Sequence, residues 1–198
     1  MPGPLSPLRG YTAEPSRSPP PTLPPTTPTT PRDAAVGTVV AKGAATLVEK
    51  RRMVVEGTTY RHDCSGMVAA AYASAGRTLQ GGSRDLHAAA ERAGLLHTRP
   101  RPHPGDIAFF DNTYDRDRDG RRDDMLTHVG VVESVDAHGT ITIVHLGGSG
   151  VRRLKMSVLR PDDQAVNSQL RATNGRDGGP VLAGELWRDF GSLWRLEP

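Results

Sequence analysis

Apolar side chains recur at helical spacing in the first half of the chain, and this pattern predicts three helices. The first runs over about residues 34 to 50, with apolar positions along one side. A second is predicted over residues 64 to 75, because Asp63 can cap its start and Gly76 can end it. A third, shorter helix is predicted from Arg84 to Ala93.

In the second half of the chain, apolar and polar residues instead follow the patterns that are typical of β-strands. The segment PGDIAFF, residues 104–110, is typical of a turn followed by a short buried strand. Residues 128–148 alternate on both sides of a turn at 136–139, which predicts a hairpin. Because helices precede strands, we expect an α+β domain with the helices packed on one face of an antiparallel sheet. Near the C-terminus, apolar residues from Leu182 to Trp194 follow helical spacing and are expected to close the core.

A segment rich in proline and threonine sets the domain boundary. Eleven of the 17 prolines lie in residues 1–31, which excludes a helix or a central strand and predicts an extended, disordered linker. Residues 32–198 are therefore predicted to form one globular domain.

Charge and hydropathy exclude two classes of partner. A formal net charge of +3 over 198 residues is too small to indicate nucleic-acid binding. The sequence holds no apolar run long enough to span a membrane, and no signal peptide is visible in its first residues. A start codon placed downstream of a true signal peptide would give the same appearance, so export stays open. The sequence does not indicate an oligomeric state.

The one cysteine, Cys64, is the first candidate for chemistry. It cannot form an intramolecular disulfide or a multi-cysteine metal site. At the predicted helix start, unpaired backbone N–H groups and the positive end of the helix dipole are expected to favour its thiolate. Its neighbours Asp63, Ser65 and Gly66 are small or polar and leave the sulfur accessible. A lone cysteine that merely fills the core is the alternative.

Two histidines lie on the predicted hairpin, where a cysteine nucleophile could find its base. With Ala137 and His138 as a two-residue turn, His145 is the diagonal neighbour of His128, about 7–8 Å away between α-carbons on one face. That face is otherwise apolar, so both imidazoles need partners there. A base and the group that orients it would explain the pair. A structural pair and a two-histidine metal site are the alternatives.

The other histidines and the tryptophans are expected to have no catalytic role. His62 is interpreted as a polar loop residue beside the site. Helix-surface or turn positions are expected for His87, His97, His103 and His138. Trp187 and Trp194 are expected to pack in the core.

Three segments, DCSG at 63–66, PGDIAFF at 104–110 and HVGVV at 128–132, together resemble a known family. They are similar to the NlpC-type papain-like cysteine peptidases of bacterial cell walls, which are relatives of the CHAP amidases. The resemblance spans about residues 34–155. It implies a papain-like core, a nucleophile at a helix N-terminus, peptidoglycan or its peptide fragments as substrate, and action in the periplasm, the cell envelope or outside the cell.

The resemblance also assigns roles to single residues. It makes Cys64 the nucleophile, His128 the general base and His145 the residue that orients the base, with no cofactor required. It further implies that Tyr60, Asp63 and Ser65 bind the free amine of a stem peptide. In the family a longer glycine-containing loop commonly separates the tyrosine from the cysteine, so the substrate preference stays open here.

The segment before His128 has the oxygen spacing of a calcium loop, D-x-D-x-D-G followed by a further aspartate. The ligands would be Asp115, Asp117, Asp119 and Asp123. Leu126 occupies the position where such a loop has a bidentate glutamate, and interspersed arginines offset the negative charge. A structural calcium ion that orders this loop and a solvated charged loop are therefore both open.

Three functions remain after these arguments. The first is a peptidoglycan hydrolase, a cysteine peptidase or amidase that cleaves a stem-peptide or amide bond through a thioester. The second is an acyltransferase or deamidase on the same scaffold, because an amine can resolve a thioester as well as water can. The third is a non-catalytic module that binds the wall or calcium, and the intact Cys/His/His set disfavours it.

Overall fold

The computed structural model describes residues 31–172 and 179–197. The predicted linker over residues 1–31 therefore lies outside the described residues, except for Pro31, the first residue of helix α1. No helix among the described residues is long and apolar enough to cross a lipid bilayer.

The helices are α1 (Pro31–Thr46), α2 (Cys64–Ala73), α3 (Ser83–Arg92) and the short α4 (Ala183–Leu186). Two short strands, β1 (Val54–Val55) and β2 (Thr58–Thr59), form a separate hairpin. The main sheet contains β3 (Leu96–His97), β4 (Ile107–Phe110), β5 (His128–Val135), β6 (Ile141–Gly147), β7 (Gly150–Met156) and β8 (Trp187–Gly191). A 3₁₀ turn over Leu193–Arg195 follows β8. The three predicted helices are thus present, with ends that differ by a few residues.

The main sheet has the strand order β3-β8-β4-β5-β6-β7, and every neighbouring pair is antiparallel. Helices α1 and α2 pack on one face, mainly against β5. A core of apolar residues from both helices and from alternate strand positions, including Met67, Val129 and Val144, fills this contact. The observed architecture is the expected α+β domain with an antiparallel sheet.

The opposite face of the sheet is also buried. A second cluster of apolar residues covers it, with Phe110, Val132 and Ile143 from the sheet and Leu186 from α4. Residues on both faces of β5 are therefore inside the protein, which explains why HVGVV is nearly continuous in apolar character.

The segment from Leu182 to Trp194 is not one helix, and the helical spacing was misleading there. Its apolar residues belong to α4, to strand β8 and to the 3₁₀ turn. Strand β8 lies between β3 and β4, where Phe190 pairs with His97 on one side and with Ala108 on the other. Both faces of this strand are covered, so its sequence does not need the alternation of a half-exposed strand.

Two histidines that were expected at the surface are buried instead. His87 on α3 lies 3.0 Å from Asp189 of β8, measured from Nε2 to Oδ2. His97 on β3 lies 3.1 Å from Asp106, between the same atom types. Asp189 is far from His87 in sequence, and Asp106 lies across a turn from His97, just before β4. The pattern of single residues shows neither contact.

Asp106, the aspartate of the PGD motif, joins three parts of the fold. Its carboxylate is fully buried and accepts hydrogen bonds from Ser192 Oγ at 2.7 Å, Trp194 Nε1 at 2.8 Å and the His103 backbone N–H at 2.7 Å. Burial raises the pKa of this carboxyl, but these bonds and the one with His97 hold the pKa below its usual value. The motif therefore connects β4 to β3 and to the C-terminal turn.

Candidate active site

The start of α2 is built by the DCSG motif. Asp63 is the N-cap, and its Oδ1 accepts hydrogen bonds from the Gly66 backbone N–H at 2.6 Å and from the Ser65 hydroxyl at 2.8 Å. A side chain at Gly66 would come within 2.1 Å of the Arg61 carbonyl oxygen, so only glycine fits there. These contacts place Cys64 at the first position of the helix, as the sequence predicted.

The Cys64 thiol is half-buried at this helix start. Burial raises its pKa above the ordinary value of 9.0, and the negative charge of Asp63 adds to that effect. The backbone N–H groups of Val129, Ser65 and Cys64 face the sulfur and lower the pKa, but burial outweighs them. The expectation that the helix start favours the thiolate is therefore wrong in its net direction. The resting cysteine is a neutral thiol.

His128 and His145 meet directly. His128 Nε2 lies 2.9 Å from His145 Nδ1, and the two rings are nearly perpendicular at 87°. Burial lowers the pKa of His128 to about 4. Burial, the neighbouring His128 and the charge of Arg152 lower the pKa of His145 to about 3. Both rings are thus neutral at neutral pH, and their hydrogen bond is one between two neutral imidazoles.

The predicted pairing of strands β5 and β6 at the histidines is correct. The turn from which it was predicted is not. The hairpin does not have a two-residue turn, because the Asp136 backbone N–H donates to the Thr140 carbonyl. This longer turn alone would shift the pairing by one residue. A bulge between Val132 and Ser134 shifts it back, so Gly130 pairs with His145 as expected.

The three residues open into one cavity of ≈ 740 Å³. Cys64, His128 and His145 all line it, together with Thr113, Tyr114 and Gly147. His62 also lines this cavity from an exposed position. A thiol and two imidazoles therefore share a space large enough for a peptide segment.

The three residues expected to bind a free amine do not line one cavity, although Asp63 and Ser65 are hydrogen-bonded to each other. Asp63 lines the cavity beside Cys64, with one oxygen bound to the helix start and the other 3.3 Å from Arg61 Nε. Ser65 is buried, and its hydroxyl accepts a hydrogen bond from Arg61 Nη2 at 2.9 Å. Tyr60 is half-buried and lines a different cavity with Leu79. Asp63 alone of the three combines a charge with a position on the cavity wall.

The aspartate loop brings together only part of the predicted calcium ligands. Oxygen atoms of Asp115 and Asp117 lie within 4.8 Å of one another and of Asp124, which the spacing did not identify. Asp119 and Asp123 are not in this cluster. Asp124 also accepts a hydrogen bond from the Arg116 backbone N–H and pairs with its guanidinium at 3.2 Å. Calcium binding stays a prediction, now for a different set of oxygens.

Sequence reasoning missed Arg152 at this site. It pairs with His145 across strands β6 and β7 and lines the same cavity. The sequence carries a signal for it, because a short turn after Gly147 places residue 152 opposite residue 145.

Comparison with known proteins agrees with this geometry in general terms. Residues 54–146 match the model of the CHAP domain, and this stretch contains Cys64, His128 and His145. The comparisons with curated proteins and with solved structures found no match. CHAP domains are typically hydrolases that act on amide or peptide bonds of the cell wall. The match supports a CHAP-type amidase or peptidase family for this chain and indicates activity on peptidoglycan.

Proposed function

We propose that this protein is a peptidoglycan hydrolase that cleaves a stem-peptide or amide bond by nucleophilic catalysis. Cys64 is the nucleophile, His128 is the general base and His145 orients His128. The observation that carries the proposal is the shared cavity, which Cys64 lines together with a histidine pair joined by a 2.9 Å hydrogen bond. The proposal takes the site to be papain-like and NlpC-type, as the sequence motifs suggest.

The hydrogen bond between the rings decides which atom takes the proton. His128 Nε2 is engaged with His145 Nδ1, so His128 Nδ1 is the nitrogen left to face the thiol. For Nδ1 to act as a base, the proton of neutral His128 must be on Nε2 and be donated to His145. His145 thereby selects the reactive tautomer of the base.

Catalysis then begins from neutral partners and not from a preformed ion pair. His128 removes the proton from Cys64 as Sγ attacks the carbonyl carbon, and the carbonyl oxygen becomes an oxyanion. The backbone N–H of Cys64 is placed to hold that oxygen. The intermediate collapses to a thioester as the C–N bond breaks, and His128 returns the proton to the leaving amine. Water then attacks the thioester and releases Cys64.

The aspartate loop enters this proposal as a calcium site with a structural role. The loop spans the gap between β4 and β5 and leads directly to His128. Its carboxylates would hold the loop in place and would not contact the substrate. Chelation of calcium would then lower the melting temperature of the protein. An unchanged melting temperature would indicate that the loop is a solvated charged loop without calcium. We also propose that the protein acts outside the cytoplasm, where its substrate lies.

The test is digestion of purified peptidoglycan by the wild type and by Cys64→Ala, with products identified by mass spectrometry. Because Cys64 is the only cysteine of the chain, alkylation of the wild type provides a second, matched way to remove the thiol. We expect new fragments ending in a free carboxyl from the unmodified wild type alone. Fragments that carry an added amine would indicate an acyltransferase instead. Release of the same fragments by Cys64→Ala, or no release by the wild type, would overturn the proposal.

A further inference from the structure

Two arginines of β7, Arg152 and Arg153, line the catalytic cavity. In the sheet, Gly130 of β5 pairs with His145 of β6, and His145 pairs with Arg152 of β7. His128 lies on the same face as His145, so two imidazoles and a guanidinium follow one another across three strands. The charge of Arg152 reaches His145, whose pKa it lowers. Arg152 therefore lies next to the reacting groups.

Arg152 differs from its neighbour Arg153 in how its charge is balanced. Arg153 donates from Nε and Nη2 to the two carboxylate oxygens of Glu133, at 2.6 and 2.8 Å. Within residues 31–172 and 179–197, no carboxylate lies at ion-pair distance from Arg152. Asp63 is the one acidic residue that lines the cavity, and it is bound to Arg61 and to the start of α2. The positive charge of Arg152 is thus unbalanced by the protein around it.

The guanidinium of the exposed Arg152 lies close to the backbone of Gly147. A β-carbon at Gly147 would come within 2.7 Å of Arg152 Nη2 and within 3.0 Å of Nε. The guanidinium therefore lies against the bare backbone of Gly147, and any larger residue would displace it. A guanidinium presents a planar fork of donors, which matches a carboxylate in charge and geometry.

The cationic character continues beyond Arg152. A second cavity of ≈ 610 Å³ shares His62, Gly148 and Arg152 with the first. Lys50 and Arg51 line it as well, and Glu49 is its one acidic residue. The charge of Glu49 also acts on Arg153, on the other face of β7. An anionic segment of a substrate would thus meet positive charge on leaving the catalytic cavity.

We propose that Arg152 binds a carboxylate of the substrate, and that this protein is specific for peptides with a free carboxylate next to the scissile amide. The inference rests on the proposed function, since it names the substrate class of the same site. The substrate's carboxylate accepts hydrogen bonds from the guanidinium while the carbonyl carbon lies at Cys64. Arg152 is a specificity residue and takes no part in proton transfer.

The experiment compares two substrates and three proteins. The substrates are purified peptidoglycan and the same material with its carboxyls converted to carboxamides by carbodiimide and ammonia. The proteins are the wild type, Arg152→Gln and the control Arg153→Gln, which removes a cation that also lines the cavity but that Glu133 already neutralises. For the wild type and the control, we expect amidation to lower kcat/KM by about 10- to 100-fold, as loss of a hydrogen-bonded charge does. For Arg152→Gln, we expect equal rates on the two substrates.

The outcomes separate this inference from the proposed function. Equal rates of the wild type on both substrates would overturn the inference and leave the hydrolase standing. A preference for carboxylates that persists in Arg152→Gln would do the same. No fragments from the wild type on either substrate would defeat the proposed function itself. Alkylation of Cys64 at equal rates in all three proteins serves to show that the reactive site is intact.

Discussion

The Cys64 sulfur lies where two opposing effects act on its charge. Three backbone N–H groups favour the thiolate, whereas burial and Asp63 favour the thiol and prevail. We therefore expect alkylation of Cys64 by iodoacetamide to be slow at neutral pH and to accelerate as the pH rises through a pKa above 9.0. Mass spectrometry of the intact protein at a series of pH values gives the rates. A rate that is already maximal below neutral pH would instead indicate a preformed thiolate–imidazolium pair.

His128 has to be neutral to act as a base, and burial sets the pH at which it becomes so. Its pKa of about 4 lies well below the ordinary 6.5. Activity should therefore rise with pH through about 4 and be independent of pH from there to neutrality. The profile of kcat/KM measures this, with carboxyl-amidated peptidoglycan as substrate so that substrate carboxylates do not titrate. An acidic limb near 6.5 would mean that His128 is exposed to water.

His145 acts through His128, so its replacement should change the rate without changing the fold. His145→Phe removes the acceptor for His128 Nε2–H and frees the base to adopt the wrong tautomer, which we expect to lower kcat on the order of 10²-fold. His145→Asn keeps an acceptor near the position of Nδ1 and should recover part of that loss. Equal losses in both variants, or a loss in KM alone, would contradict an orienting role.

The residues of the site differ in how visible they are in the sequence. Cys64 and His128 belong to quoted motifs and His145 to the predicted hairpin, so the sequence alone could name all three as candidates. The sequence could not show that the pKa of the Cys64 thiol is raised, because this shift depends on packing against β5. Arg152 was missed for a related reason, since its position opposite His145 depends on the length of the turn between β6 and β7.

At the scale of elements, the sheet is held together by partners that are distant in sequence. Strand β5 has the right register at the histidines because a bulge offsets a longer turn, and periodicity shows neither feature. The apolar spacing from Leu182 to Trp194 looks helical, although Phe190 belongs to a central strand. Helices α1, α2 and α3 were predictable because the apolar residues along one side of each helix face the same core. Strand β8 was not, because both of its sides are covered.

The carboxylate of Asp106 connects β3, β4 and the C-terminal turn, and its loss should destabilise all three. Asp106→Ala leaves His97, Ser192 and Trp194 without a buried acceptor, which we expect to lower the free energy of unfolding by about 3–5 kcal/mol. Asp162→Asn at an exposed position is the control and should cost less than about 0.5 kcal/mol. Urea denaturation followed by tryptophan fluorescence measures both. A small effect of Asp106→Ala would show that the network is not needed for stability.

For the molecule as a whole, the part that matches the CHAP model is smaller than the folded domain. The CHAP match ends at residue 146, yet β7 and β8 of the main sheet come later in the chain, and α1 comes before the match begins. Strand β8 separates β3 from β4, so a chain without it would lose the pairing on one side of each. Trp194, which binds Asp106 and packs in the main core, would be lost as well.

We therefore expect a protein that ends at residue 186 to show no cooperative unfolding transition, and residues 54–146 alone to behave in the same way. A protein lacking residues 1–30 should melt at the same temperature as the full chain, because the predicted domain begins after that segment. Calorimetry of the full chain and the three shortened proteins decides this. A cooperative transition in the 54–146 protein would place the folding unit inside the matched region and make β8 an addition to it. Loss of the transition on removal of residues 1–30 would move the domain boundary toward the N-terminus.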